Sequence, residues 1–265
     1  MSMDNDPQGE SPNRGRRVRV PVWGIVAGSV VVALLAGAAT YAATRSNTEP
    51  APTTPSAATT TSTAPGAVDG YKITAGAGGT ATAVDGHTPI GYAATCAGAV
   101  EAATNYYTAV GDGPFQERFT AAGFAALLDQ LNAGLDDSPM SSLKQDFAKT
   151  RAEANEGSTP FPNPQSYPEW GAFRVESCTK GSTAEIDVDG FFEDSIVPGK
   201  AQTDPRHVTV SWSGGDWRLA DIKDLANSPS DSVPGYPAAP VPASVREEMI
   251  AQGGPGWTEY TNAPR

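Results

Sequence analysis

Residues His207-Val208-Thr209-Val210-Ser211-Trp212-Ser213-Gly214-Gly215-Asp216-Trp217-Arg218-Leu219 decide the fold. Val208, Val210 and Trp212 recur every second residue, which is the period of a strand with one buried face. Gly214-Gly215 supplies the permissive backbone of a tight hairpin, and Trp217, Leu219 and Ile222 return along the next strand. Upstream, Phe173 and Val175 alternate with Arg174 and Glu176, and Ile186 and Val188 alternate with Glu185, Asp187 and Asp189. This pattern predicts four half-buried antiparallel strands in a meander.

Before these strands the period is helical. Thr95 can cap a helix from Cys96 to about Val110, with Cys96, Ala99, Val100, Ala103, Tyr107 and Val110 on one face. Pro114 suits a first helical turn, and Phe115, Phe119, Leu127, Leu128 and Leu131 supply a second apolar face, interrupted at Gly123. A third helix starts near Ser138-Pro139, carries Met140, Leu143 and Phe147 on one side, and ends around 155–157. Helices first and strands second predict an α+β domain over 94–225, with helices packed on one face of a four-stranded antiparallel curved sheet.

The flanks differ in composition. Residues 1–19 are polar and end in Arg14, Arg16, Arg17 and Arg19, and 20–44 form an uncharged run closed by Arg45. As a helix that run would reach about 37 Å, enough to cross a hydrocarbon core of about 30 Å. The positive-inside bias then holds 1–19 in the cytoplasm as a tail, makes the lipid bilayer the partner of 20–44, and exports the chain beyond Arg45. The alternative is a signal peptide cleaved near Ala36-Gly37-Ala38; the long, partly acidic leader and the long apolar run favour a retained anchor. The small-residue spacing of Gly24 and Gly28 suits helix pairing and hence a homo-oligomer.

Residues 45–70 are rich in Thr, Ala, Pro and Ser, with few large apolar side chains, and read as a disordered stalk. Residues 71–93 read mostly as a loop, with a turn at Asp85-Gly86 and either an arm or a short strand at Tyr71–Thr74. Residues 226–265 are a Pro-rich tail. Ser244 and Glu247 have capping-box spacing for a short helix, 245–251, and Trp257 and Tyr260 either pack the tail back on the domain or mark an exposed docking segment.

The formal charge of the 265 residues is -12. It divides along the chain: 1–45 carry five Arg against three acidic side chains, while 46–265 hold 13 basic and 27 acidic ones. A strongly acidic exported part argues against direct nucleic-acid binding, which needs clustered cations for phosphates. The two cysteines exclude a four-thiolate zinc site. In an exported segment Cys96 and Cys178 should form a disulfide, closing a loop of about 80 residues and stabilising by roughly 4 kcal/mol in the chain-entropy view. Strict alternation, however, places Cys178 on the face opposite Phe173 and Val175, so a bulge or the strand end must redirect it.

Chemistry-bearing motifs are absent. His87 and His207 lie in no HExxH, and there is no GxSxG and no phosphate-cradling loop. No catalytic residue, cofactor or metal ligand is therefore assigned, and an enzyme is disfavoured. Glu185, Asp187, Asp189, Glu193 and Asp194 form an acidic cluster that could attract calcium; an extended strand projects its carboxylates along one edge instead of wrapping an ion, so a solvated strand face is expected. Trp212 and Trp217 read as core aromatics beside a hairpin end, not as a stacking platform.

The stretch Gly91-Tyr92-Ala93-Ala94-Thr95-Cys96-Ala97-Gly98-Ala99-Val100-Glu101-Ala102-Ala103-Thr104-Asn105-Tyr106 resembles the G-Y-x-x-T-x-x-G-A-V-x-A-A-x-N-Y opening of actinobacterial single-pass membrane-anchored proteins of unknown function, often linked to conjugative elements. The layout of tail, crossing, stalk, helices and sheet looks like the VirB8-type subunits of conjugative secretion systems, which have an NTF2-like fold. The resemblance implies a cell-membrane protein with a cytoplasmic N-terminus and an extracytoplasmic assembly or protein-interaction domain, whose partners are envelope or secretion proteins. A cell-envelope module binding a small ligand between sheet and helices is the alternative.

Overall fold

The computed structural model describes residues 71–112, 120–156, 165–193, 198–232 and 236–265. The tail, span and stalk expected over 1–70 lie outside the described residues. Among the described residues no helix is long and apolar enough to cross a membrane.

Helix α1 (Cys96–Asp112) begins as the sequence predicts, with Thr95 Oγ1 accepting the Gly98 amide at 3.0 Å. It lies across four strands of the main sheet. Its expected face is buried apart from half-buried Cys96, and so are Ala102, Thr104, Asn105 and Tyr106. The arm covers the other side: Asn105 Nδ2 donates to the Ala77 carbonyl and to Tyr92 Oη, both at 2.8 Å. A one-sided periodicity could not announce this second contact.

Helix α2 (Ala121–Leu131) buries Phe124, Leu127, Leu128 and Leu131. Gly123 does not break it, as the sequence suggested. Thr120 is the N-cap and its Oγ1 accepts the Gly123 amide at 3.0 Å, so Gly123 sits in the first turn. The earlier part of that expected helix, with Phe115 and Phe119, lies outside the described residues. Helix α3 (Ser138–Glu156) runs alongside, with Phe147 against Phe124 at 4.4 Å between centroids. Lys144 joins the two helices by ion pairs to Asp129 and, at 2.8 Å, to Asp137.

The arm forms a small hairpin instead of a strand at Tyr71–Thr74. Strands β1 (Ala81–Thr82) and β2 (Pro89–Ile90) pair antiparallel around the turn at Asp85-Gly86. Asp85 carboxylate oxygens accept the Thr88 amide at 2.9 Å and its hydroxyl at 2.7 Å, which fixes the turn.

The four expected strands are β3 (Gln165–Thr179), β4 (Thr183–Glu193), β5 (Ala201–Ser213) and β6 (Asp216–Asp224), all antiparallel. The sheet nevertheless has five strands, in the order β6-β5-β4-β3-β7, because β7 (Thr258–Glu259) returns from the tail to pair with Ala172 and Phe173. Two paired residues leave too little alternation to be read from sequence. At the β5–β6 hairpin Gly214 and Gly215 both have positive φ, 61° and 85°, as a two-residue turn between twisted strands demands. Trp212 and Trp217 then face each other edge-on at 5.5 Å, with Trp217 fully buried and donating its indole N–H to the Ala93 carbonyl at 2.8 Å.

The outer edge of the sheet at β6 is protected. The carbonyls of Trp217 and Leu219 accept from Tyr106 Oη at 2.7 Å and Asn132 Nδ2 at 2.8 Å, so helix side chains occupy positions where a foreign strand would pair.

The disulfide Cys96–Cys178 is present, with Cα atoms 6.0 Å apart. The register explains its geometry. Val175 pairs with Ile186 but Ser177 with Glu185, so Glu176 is an extra residue on β3. This bulge inverts the alternation and brings Cys178 opposite buried Ala184, on the helix side.

The inner face of the sheet is covered and the outer face is covered in part. Ile186, Val188, Val208, Val210 and Leu219 pack on the helices, together with Ile73, Ala83, Tyr92 and Tyr260 from the flanking segments. A second, smaller cluster of Trp170, Phe191, Ala201, Val241 and Met249 lies on the opposite face. Helix α4 (Ala243–Gly253) in the tail builds that layer. It starts after Pro242 with no side-chain cap, so Ser244 does not play the capping role its spacing to Glu247 suggested. The organising residue is Arg246, fully buried, donating to the carbonyls of Val241 and Pro264 and paired with Glu259 at 3.2 Å. Trp257 and Tyr260 are buried, so the tail packs back on the domain.

Candidate functional site

The strand face read as solvated is so only in part: Glu185 is exposed as expected, Glu193 is half-buried, Asp194 lies outside the described residues, and the two central carboxylates differ from the expectation. Asp187 and Asp189 are both buried, 1% and 0% exposed, because the tail roofs half of the outer sheet face. A buried carboxylate needs partners, and each has found its own. Asp189 accepts the Ser230 amide at 2.8 Å and the Ser230 hydroxyl at 2.6 Å from the 3₁₀ turn Pro229–Ser232. Asp187 accepts from Arg174 Nη2 at 2.8 Å and is bonded to His207 Nδ1 at 2.7 Å.

Strand register explains the second set. Arg174, Asp187, His207 and Lys223 are successive cross-strand partners on β3, β4, β5 and β6, so they form one straight row across the sheet. The next row is Ser177, Glu185, Thr209 and Asp221. Side chains directly opposite in antiparallel pairs lie close enough to interact, and Asp187 meets Arg174 on one side and His207 on the other. Glu176, displaced by the bulge, folds back to pair with Arg174 Nε. Burial and a hydrogen bond to Asp187 hold the Glu176 carboxyl above its ordinary pKa. The guanidinium of Arg174 in turn lies under the Trp257 ring, 4.9 Å from its centroid.

Exposure along the row is lowest at Asp187 and highest at Lys223. Asp187 is enclosed, Arg174 lies partly under Trp257, His207 is one-fifth exposed, and Lys223 is open to solvent. Asp187 engages the Nδ1 side of the imidazole, so the ring presents Nε2 as its other polar atom. Ser177, the hydroxyl in the neighbouring row, donates to Glu185 at 3.1 Å, so it is engaged with a carboxylate and not with the imidazole.

Among the described residues no three His, Cys, Asp or Glu side chains are grouped to hold a metal ion. Asp187 and Asp189 are spent on Arg174, His207 and Ser230. His87 lies in the β1–β2 turn, exposed and remote in sequence from the row, and its amide donates to Asp85.

The inner face holds a second polar group. Asp204 and Arg206 lie on β5, with Arg206 Nε donating to Asp204 at 2.7 Å and Nη1 to Asp224 at 2.5 Å. Burial raises the Asp204 carboxyl pKa. Gly190, opposite Asp204, is a position where a β-carbon would collide with Tyr107 Oη, so only glycine admits α1 this close. The Tyr107 hydroxyl is buried without a hydrogen-bond partner.

Sequence reasoning missed the row because it is assembled by register between four strands. Alternation identified Asp187 as outward-facing but could not show that the tail would roof it. The one available signal was the coincidence of Arg174, Asp187, His207 and Lys223 at outward positions of consecutive strands.

No family model, curated protein or solved structure matches the chain.

Proposed function

We propose that the chain is a bitopic membrane-anchored protein whose extracytoplasmic NTF2-like domain docks envelope or secretion proteins, as a component of a conjugative transfer apparatus would. Residues 20–44 are the bilayer partner in this reading and the N-terminus is cytoplasmic. The observation that carries it is the open half of the outer sheet face. Lys223, Asp221 and Glu185 are held there at fixed spacing on paired strands, with no catalytic nucleophile among them. Rigidly placed charges of both signs give selectivity and orientation to a protein contact. The Cys96–Cys178 bridge is at home in an oxidising, extracytoplasmic compartment.

The experiment is photo-cross-linking in intact cells from a probe at Thr209, in the centre of the open face, comparing wild type with the paired reversal Lys223→Glu and Glu185→Lys. The expected result is a discrete cross-linked protein whose yield falls at least fivefold in the variant, with the melting temperature preserved. An unchanged adduct would overturn the proposed face. A small-ligand module is the second reading, favoured by the unpartnered Tyr107 hydroxyl beside Asp204. No protein adduct, together with a small molecule released from the purified domain, would replace the first reading with the second.

A further inference from the structure

We propose that the inner sheet face, where β4 and β5 meet the last turns of α1, binds a small uncharged hydroxylated molecule by inserting one of its hydroxyl groups between Tyr107 and Asp204. The inference rests on the small-ligand reading and names its site and ligand class. It does not depend on which protein docks on the outer face.

Tyr107 forms the floor of the site. Its side chain is fully buried, and its hydroxyl has no hydrogen-bond partner. Packing alone does not account for that hydroxyl, because a buried polar group without a partner carries a desolvation cost that phenylalanine would avoid. The neighbouring buried tyrosines show the usual solution. Tyr106 donates to the Trp217 carbonyl at 2.7 Å, and Tyr260 shares a bond with Thr104 Oγ1 at 3.1 Å.

Two glycines shape the surroundings. Tyr107 Oη lies over Gly190, where any β-carbon would collide with it, and Gly190 is directly opposite Asp204 in the β4–β5 ladder. The Asp204 side chain therefore rises from the same face, beside the hydroxyl. One turn beyond Tyr107 on α1 stands Gly111. An added β-carbon there would lie 3.0 Å from Ser166 Oγ and 3.4 Å from Asp204 Oδ2, so this oxygen is turned toward the helix.

The polar groups define what can bind. Asp204 Oδ1 accepts from Arg206 Nε at 2.7 Å, and Arg206 Nη1 is held by Asp224 at 2.5 Å. Asp204 Oδ2 then remains as an acceptor in the wall, and Tyr107 Oη as a donor in the floor. Two carboxylates share one guanidinium, so the site carries an excess of negative charge that opposes an anion. An ammonium brings only donors and would leave the phenol proton unmatched. A hydroxyl group answers both sides, donating to Asp204 and accepting from Tyr107. Exposure rises in one direction, from buried Tyr107 through the side chains of Asp204, Arg206 and Asp224 at 15%, 36% and 66%. The rest of the bound molecule extends that way, past Arg206.

The test is NMR titration of the full-length protein in detergent micelles, with carbon-13 in the tyrosine rings and the Tyr107 signal assigned by Tyr107→Phe. Glycerol and glucose are the hydroxylated probes, acetate and methylammonium the charged ones. A hydroxylated probe should move the Tyr107 signal saturably, and the charged probes should leave it in place. Tyr107→Phe should keep or raise the melting temperature, since it removes an unsatisfied group, yet weaken probe binding by calorimetry about tenfold or more. Asp204→Asn should weaken it as well. A Tyr107 signal that answers neither hydroxylated probe, as an ordered water only would give, overturns the proposal; so does equal binding of a charged probe, or unchanged affinity in Tyr107→Phe. If a small molecule released from the purified protein binds Tyr107→Phe as tightly as wild type, this site falls while the small-ligand reading stands.

Discussion

The two faces of the same sheet are built on different physics. The inner face is mostly apolar: Ile186, Val188, Val208, Val210 and Leu219 meet helices α1–α3 in one core, with the Asp204–Arg206 pair beside it. The outer face mixes a small apolar cluster around Phe191 and Met249 with buried carboxylates held by Arg174, His207 and Ser230. Apolar burial is non-directional and tolerates small errors of placement, whereas a buried carboxylate is stable only with each partner in position. The inner face should therefore dominate stability, and the outer face should dominate selectivity and response to conditions.

Removing a large inner side chain is the hardest test of that contrast. Trp217→Ala deletes a fully buried ring and its bond to the Ala93 carbonyl, and should cost about 3–5 kcal/mol in urea denaturation. If the loss were below about 1 kcal/mol, the inner core would not be the main source of stability. The covalent tie between α1 and β3 comes next. Replacing both Cys96 and Cys178 by Ala should cost about 2–5 kcal/mol, with the bulge at Glu176 persisting because the ladder on either side of it specifies it.

On the outer face the expected effect is smaller. Asp187→Ala strands Arg174 and His207, both partly exposed, so water relieves some of the loss and about 1–3 kcal/mol is expected in the same denaturation. Asp187→Asn should recover part of it by keeping an acceptor. Equal costs for Asp187→Ala and Trp217→Ala would erase the distinction between the faces.

The helices and the meander were legible because each depends on local periodicity. Val208, Val210 and Trp212 reported a strand, and Gly214-Gly215 its turn, from neighbours within a few residues. Even the bulge near Cys178 was foreseeable, since the disulfide and strict alternation were incompatible. The fifth strand was not legible: Thr258 and Glu259 become a strand only because Ala172 and Phe173 offer them an edge. Gly123 misled because glycine is a poor helix former in general, and here Thr120 makes its amide part of a cap. Asp187 and Asp189 misled for the opposite reason. Their outward position was right, and the roof that buries them comes from residues some forty or more further along the chain.

The amino-acid sequence by itself determined the period of each segment, hence the α+β class, the order of helices and strands, and the two cysteines available to be joined. Only the tertiary structure decided which outward residues meet water. Periodicity is a property of neighbours along the chain, while burial and charge pairing depend on what the rest of the molecule lays over them. The row from Arg174 to Lys223 therefore exists only once four strands are in register and the tail has closed over one end.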